Sequence, residues 1–298
     1  MAQFEEQLTA ARTVTPATQP LNLYYGLAQA GMAIAAAHAA DPWSFNSHGL
    51  QLVDRHAELG EMQLTAERDG AFQRVSSATA SPGLAGPVSL GALWASLPDL
   101  SEVALLPGPD RPAALYLIPD AAPGSVPAAT LYLKGELPEA PVRVARLTEI
   151  MNDYPSARGW RIKAGASAIE AAGAWQWSAA LEWPIADFSK VPEDDPEAFF
   201  DEMAPAYRYR SDRFLRPVVC PDVSTAPSAL MTWWLLLYSF SILARYEPRR
   251  WTTLLDLDKS RCASALQYAL QEALAAVPHL VLEALDGERR LFAKPLSI

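Results

Sequence analysis

Between Pro227 and Trp251 the chain reads PSALMTWWLLLYSFSILARYEPRRW, and no residue from Leu230 to Ala244 carries a formal charge. A run apolar nearly all round predicts a central helix enclosed by protein. Its fifteen residues span roughly 22 Å as a helix, short of the ~30 Å of a bilayer core. Ser228, Thr232, Ser239 and Ser241 interrupt the apolar surface as well, so the pattern points to a buried helix and not to a membrane span. A second helical pattern begins after Pro20 in LNLYYGLAQAGMAIAAAHAAD and is expected to stop at Asp41-Pro42. Within it Gly26, Ala30, Ala33 and Ala37 recur at steps of four, three and four. That spacing predicts a face nearly free of side chains, able to admit the 228–247 helix closely. Residues 1–19 are expected to form a short helix or a loose arm.

From about residue 49 to 140 the period changes from helical to alternating. MQLTAERDGAFQRV (62–75) reads as a hairpin turning at Asp69-Gly70, a pair suited to a two-residue type I′ turn. Residues 76–87 are rich in Ser, Ala, Pro and Gly and read as a loop. SLGALWASLPDL (89–100) predicts a short helix with Ser89 as N-cap and Pro98 as its break. AALYLIP (113–119) and ATLYLKGEL (129–137) read as strands, and one sheet can hold the whole stretch. VRVARLTEIMNDY (142–154) carries Val144, Leu147 and Met151 at helical spacing, and AWQWSAALEW (174–183) alternates as a strand. A last helix is expected from Asp258 or Ser260, with Cys262, Leu266, Leu270 and Leu274 at steps of four. For residues 279–294 helix and hairpin both fit.

The fold class these patterns predict is α+β. N- and C-terminal helices pack together, around a β-containing insert at about 50–140 and a further strand near 174–183. One domain is expected over residues 1–298, with 20–48 and 226–285 as its helical core and 49–225 as a mixed insert.

Half of the residues are apolar and 19% are charged, a globular composition. The net charge of −10 argues against broad binding to nucleic acid or anionic membranes. Cys220 and Cys262 form no CxxC and read as free thiols in a reducing compartment. MAQFEEQLTAAR carries Glu5 and Glu6 where a signal peptide would be basic. A cytoplasmic location is therefore expected, with no membrane partner. Dinucleotide, P-loop, nucleophile-elbow and zincin motifs are all missing. No catalytic residue, metal site or cofactor is assigned.

Candidate binding residues come from three places. His48, in WSFNSHGL, is an imidazole beside Asn46 and Ser47 that can act as a base or hold a polar ligand. The plainer role is to hydrogen-bond the turn before Gly49. In the second place, Trp234, Tyr238, Ser241 and Arg245 share a helix face that leads into Tyr246, Glu247, Pro248 and Trp251. An Arg there can grip a carboxylate or phosphate. Pairing with Glu247 would instead make it an anchor for the helix end, with Arg249 and Arg250 solvated. The third place is Tyr207-Arg208-Tyr209-Arg210 with Arg213 and Arg216, the mixture a single-stranded nucleic-acid groove uses. The acidic run EDDPEAFFDE (193–202) can neutralise it within the chain.

LYYGLAQAGMAI with the following NSHGL, VSLGALWASLPDL, and LLYSFSILARYEPRRW resemble, in order and spacing, the YaaC-like family of bacterial proteins over residues 20–285. The resemblance implies a cytoplasmic bacterial protein and supplies no reaction. It marks Tyr25, His48, Gly49, Arg245, Tyr246, Glu247 and Pro248 as family-like positions. The Tyr-rich N-terminal helix is also similar to HEPN-type domains, many of them RNases with a signature of Arg, four to six residues, then His. No Arg precedes His38, His48, His56 or His279 at that spacing.

A non-catalytic binding protein is thus the leading expectation, its Arg245 corner (with Tyr238, Tyr25 and His48) taking an anionic small molecule or a protein partner. The alternative is a nucleotide- or RNA-acting enzyme of HEPN-like ancestry. A homo-oligomer is compatible with either.

Overall fold

The computed structural model describes residues 1–38, 47–67, 69–101, 103, 105, 111–120, 128–134, 139–157, 160–171, 174–182, 207–209, 212–220 and 226–286. Two compact units divide the chain: Met1–Arg111 with Val219–Ile298, and Pro112–Val218.

The first unit opens with α1 (Ala2–Thr13) and α2 (Gln19–His38). Phe4, Leu8 and Ala11 are buried at helical spacing, so the N-terminal residues form a packed helix. A Cβ on Gly26 would stand 3.0 Å from Gln7, which places that glycine against α1. The expected stop at Asp41-Pro42 lies outside the described residues. β1 (Leu50–Val53), β2 (Gln63–Ala66) and β3 (Val88–Ser89) form an antiparallel sheet in that order.

The hairpin expected at 62–75 is not formed. β2 pairs with β1 and β3, and the residues after Gly70 become α3 (Ala71–Ala78). Gly70 is extended, at φ −151°, whereas a type I′ turn needs positive φ at both central positions. Phe72, Val75 and Ser76 bury one helical stripe, and that burial outweighs the local turn preference of Asp69-Gly70. Farther on, Ser89 caps α4 (Leu90–Ser96), its hydroxyl accepting from Ala92 N at 3.2 Å. Pro98 both ends α4 and begins α5 (Pro98–Ser101), since the first helical position needs no N–H.

The second unit holds β4 (Leu115–Asp120), β5 (Ala128–Lys134), α6 (Ala140–Met151), β6 (Arg161–Ala171), β7 (Ala174–Glu182), β8 (Tyr207–Tyr209) and β9 (Asp212–Leu215). Its six strands make a separate antiparallel sheet in the order β6-β7-β5-β4-β9-β8. The strands of the 50–140 stretch therefore belong to two sheets and not one. Leu117, Leu131, Leu133 and Leu215 form the core with Leu147 of α6. Val144, expected on the same stripe, is 58% exposed.

Back in the first unit come α7 (Ala229–Tyr246), α8 (Pro248–Leu255) and α9 (Ala263–Asp286). Every residue from Ala229 to Ser241 is buried, as the charge-free run predicted. Ser228 caps α7 by accepting from Met231 N. α7 packs on α2, but not along the whole Gly26–Ala37 face. Ala30 is fully buried, while Ala33 is half-buried and Ala37 exposed. The close approach comes at Gly31, where an added Cβ would stand 2.6 Å from the Trp234 ring. α9 starts later than expected because Asp256 and Ser260 turn the chain first. It then runs through Pro278, so residues 279–286 are helical. Residues 287–294 of the ambiguous tail lie outside the described set. Among the described residues no helix is long and apolar enough to cross a membrane.

Candidate functional site

His48 is set in place by its backbone. Gly49 adopts φ +72°, a left-handed conformation that costs little only for glycine. The first amides of α3 then close on the turn: Ala71 N donates to the Ser47 carbonyl at 2.9 Å and Phe72 N to the His48 carbonyl at 3.2 Å. Gln73 completes the clamp. Its Nε2 donates to the Gly49 carbonyl at 2.7 Å and to the Glu67 carbonyl at 2.9 Å, and its Oε1 accepts from Gly70 N at 3.0 Å.

The imidazole is exposed on one side and meets a tyrosine cluster on the other. Nδ1 lies 2.8 Å from the Tyr24 hydroxyl. Tyr24 is buried and meets Tyr238 and Trp234 edge-on, with centroids 5.5 and 6.2 Å away. Burial raises its hydroxyl well above the usual phenol range, Tyr238 and Tyr25 add to this, and the Trp234 indole opposes it. The phenol thus stays protonated. Burial, and then the Arg245 charge, lower the proton affinity of His48, so its ring is neutral at pH 7. The phenol and the imidazole share one hydrogen bond, and with the phenol as its donor Nδ1 accepts and the ring proton sits on Nε2.

Arg245 closes the corner from the end of α7. Its Nη1 donates to the Tyr25 hydroxyl at 2.8 Å, and its Cζ stands 5.2 Å from the centroid of the Tyr246 ring. Consecutive residues of α2 thus serve the two polar groups: Tyr24 holds His48 and Tyr25 holds Arg245. Among the described residues Arg245 makes no ion pair. The pairing with Glu247 is not formed, and Glu247 caps α7 through its backbone N–H to Leu243. Its side chain lines an open cleft of about 760 Å³ shared with β1, the turn at Asp54–Ala57, Glu61 and Gln63.

The other expected residues take structural positions. Tyr238 is buried and donates to the Leu50 carbonyl at 2.6 Å, tying α7 to the outer edge of β1. Burial and then the Glu67 charge push its hydroxyl up to about 12, against the opposing charge of Arg55. Trp251 is buried, stacks on Phe240 at 5.7 Å and donates to the Ala17 carbonyl at 3.1 Å, so it anchors α8 and does not join the His48 corner. Arg250, expected to be solvated, donates to the carbonyls of Arg55 and Ala57, while Arg249 is exposed. His38 bonds the Ala284 carbonyl at a helix end.

The arginine run belongs to the second unit. Arg208 and Arg213 are register partners on β8 and β9, Arg213 is buried, and Arg216 is half-buried. Arg210 and the acidic run 193–202 lie outside the described residues.

Two contributors escaped the sequence reading. The family resemblance marks the exposed Tyr25 and not its neighbour Tyr24, and the hairpin pattern at 62–75 puts Gln73 in a strand. Its spacing of three after Gly70 lets the amide reach back to the N-cap N–H, the half of a capping box that a glycine allows. Among the described residues no group of three His, Cys, Asp or Glu side chains could hold a metal ion.

Together these features define an α+β protein whose helical unit encloses a charge-free helix and carries an Arg–Tyr–His corner at that helix's C-terminal end. The chain belongs to the YaaC-like family, whose model, described as YaaC-like Protein, matches residues 1–285. The likeness to HEPN-type domains is not shown by this match. No curated protein and no solved structure matches the chain.

Proposed function

We propose that the corner of Tyr25, His48, Arg245 and Tyr246 recognises an anionic group, on a small molecule or a protein partner, and holds it without transforming it. The observation that carries this reading is the state of Arg245: exposed, in no ion pair among the described residues, and fixed by a neutral phenol. A guanidinium positioned by an uncharged partner keeps its whole charge for an incoming anion. His48 supports the same reading. A general base needs a free lone pair facing the substrate, and with Tyr24 as the donor to Nδ1 the remaining ring nitrogen carries a proton instead. The protein would work in the cytoplasm, in keeping with buried, unpaired Cys220 and Cys262.

Titration calorimetry of wild type and Arg245→Ala against inorganic phosphate, citrate and ATP tests the proposal. Loss of a charged hydrogen bond is worth ~1.5–3 kcal/mol, or roughly 10- to 150-fold in affinity. Binding that is equal in the variant, or no binding by wild type, overturns the site. Turnover of RNA or a nucleotide by wild type, abolished in His48→Ala, would establish the enzymatic alternative instead.

A further inference from the structure

We propose, building on that anion-recognising corner, that its ligand is a phosphate monoester carrying a flat ring, namely a nucleoside monophosphate. The donors come from three separate parts of the first unit. Arg245 on α7 uses Nη1 on Tyr25, and among the described residues its other N–H groups meet no acceptor. Tyr25 on α2 accepts that bond through oxygen, so its own proton remains to be given. The turn before β1 contributes His48, which with Tyr24 donating to Nδ1 presents an Nε2–H. A carboxylate offers two oxygens in one plane. A phosphate monoester offers three terminal oxygens in a tetrahedral array, and near pH 7 it carries most of two negative charges. Arg245 and Tyr25 meet at 2.8 Å and the Arg245 charge reaches His48, so donors from three elements suit the second geometry.

The organic half of the ligand follows from the aromatic side chains. Tyr24 and Tyr238 are buried, their hydroxyls committed to His48 and to the Leu50 carbonyl. Tyr25 and Tyr246, by contrast, are 36% and 54% exposed, and both touch the Arg245 guanidinium. Exposed phenol rings beside a phosphate-binding cation offer stacking faces to a planar base.

The test is calorimetry on the full chain with AMP, UMP, ribose 5-phosphate, inorganic phosphate, adenosine and citrate. AMP and UMP are expected to bind, with ribose 5-phosphate and citrate roughly tenfold or more weaker and adenosine undetected. Tyr246→Ala should lower AMP affinity to the level of ribose 5-phosphate and leave ribose 5-phosphate unchanged. Tyr25→Phe should weaken AMP and ribose 5-phosphate alike. Both side chains reach solvent, and circular dichroism is the check that the variants are folded. If citrate binds as tightly as AMP and Arg245→Ala abolishes both, anion recognition stands and the nucleotide assignment falls. If ribose 5-phosphate matches AMP, the ring-stacking role is overturned. If no anion binds, both readings fail.

Discussion

Gly49→Ala is the substitution that joins fold and site. The native φ of +72° costs an L-residue ~1–2 kcal/mol in backbone energy alone. The new Cβ would stand 2.0 Å from Gln73 Oε1, and the amide must move away. Moving it breaks the three hydrogen bonds that Gln73 makes to Gly70 N, the Gly49 carbonyl and the Glu67 carbonyl. At ~0.5–1.5 kcal/mol net for each bond, that adds about 1.5–4.5 kcal/mol. The expected total is about 2.5–6.5 kcal/mol, read from urea unfolding monitored by tryptophan fluorescence. Gln73→Ala provides the control, because it removes the same bonds without backbone strain and should cost about 1.5–4.5 kcal/mol. In the double variant the hydrogen-bond loss is counted once, so its cost should approach that of Gly49→Ala and fall well short of the sum of the singles. Strict additivity, or a Gly49→Ala midpoint equal to wild type, refutes the clamp. Loss of the clamp also frees the His48 backbone, so anion affinity should fall in both single variants.

His48 predicts a pH dependence. Burial and the Arg245 charge lower its proton affinity in the folded chain, so the unfolded chain binds the proton more readily. This group's contribution to stability is therefore present above the unfolded value of ~6.5 and is lost as pH falls through the depressed folded value. Melting curves of wild type and His48→Asn between about pH 5 and 7 should diverge in slope, the variant being flatter; parallel curves refute the linkage. Ala30 is fully buried on α2, and Ala30→Leu should cost ~1–3 kcal/mol by overpacking. An unchanged unfolding midpoint would show that the helices there can part freely.

Much of the architecture could be read from local pattern. A charge-free run bounded by Ser228 and by Glu247-Pro248 can only be a buried helix, and α7 is one. Alternation located the strands at 115–120, 128–134 and 174–182, and the Ser89 hydroxyl marked the start of α4. These features depend on side-chain periodicity and on neighbours a few residues away, both of which are written in the chain order. The 62–75 segment went the other way. Asp69-Gly70 is a strong turn signal by itself, but burying Phe72 and Val75 turned the following residues into α3.

Arg245, Tyr25 and His48 were each legible as polar residues near apolar helices. Their meeting was not, because 220 residues separate Tyr25 from Arg245. Adjacent helix positions point ~100° apart, so only packing decides that Tyr24 turns inward to His48 while Tyr25 turns outward to Arg245. The protonation of that corner depends on the same packing, since the low dielectric and the cation acting on His48 arrive from distant segments. The chain order by itself determined the helices and strands whose periodicity is plain, α3 excepted, and which helix is enclosed. Tertiary contact decided which donors face one another, because hydrogen bonds and charges act over a few ångströms of space whatever the distance along the chain.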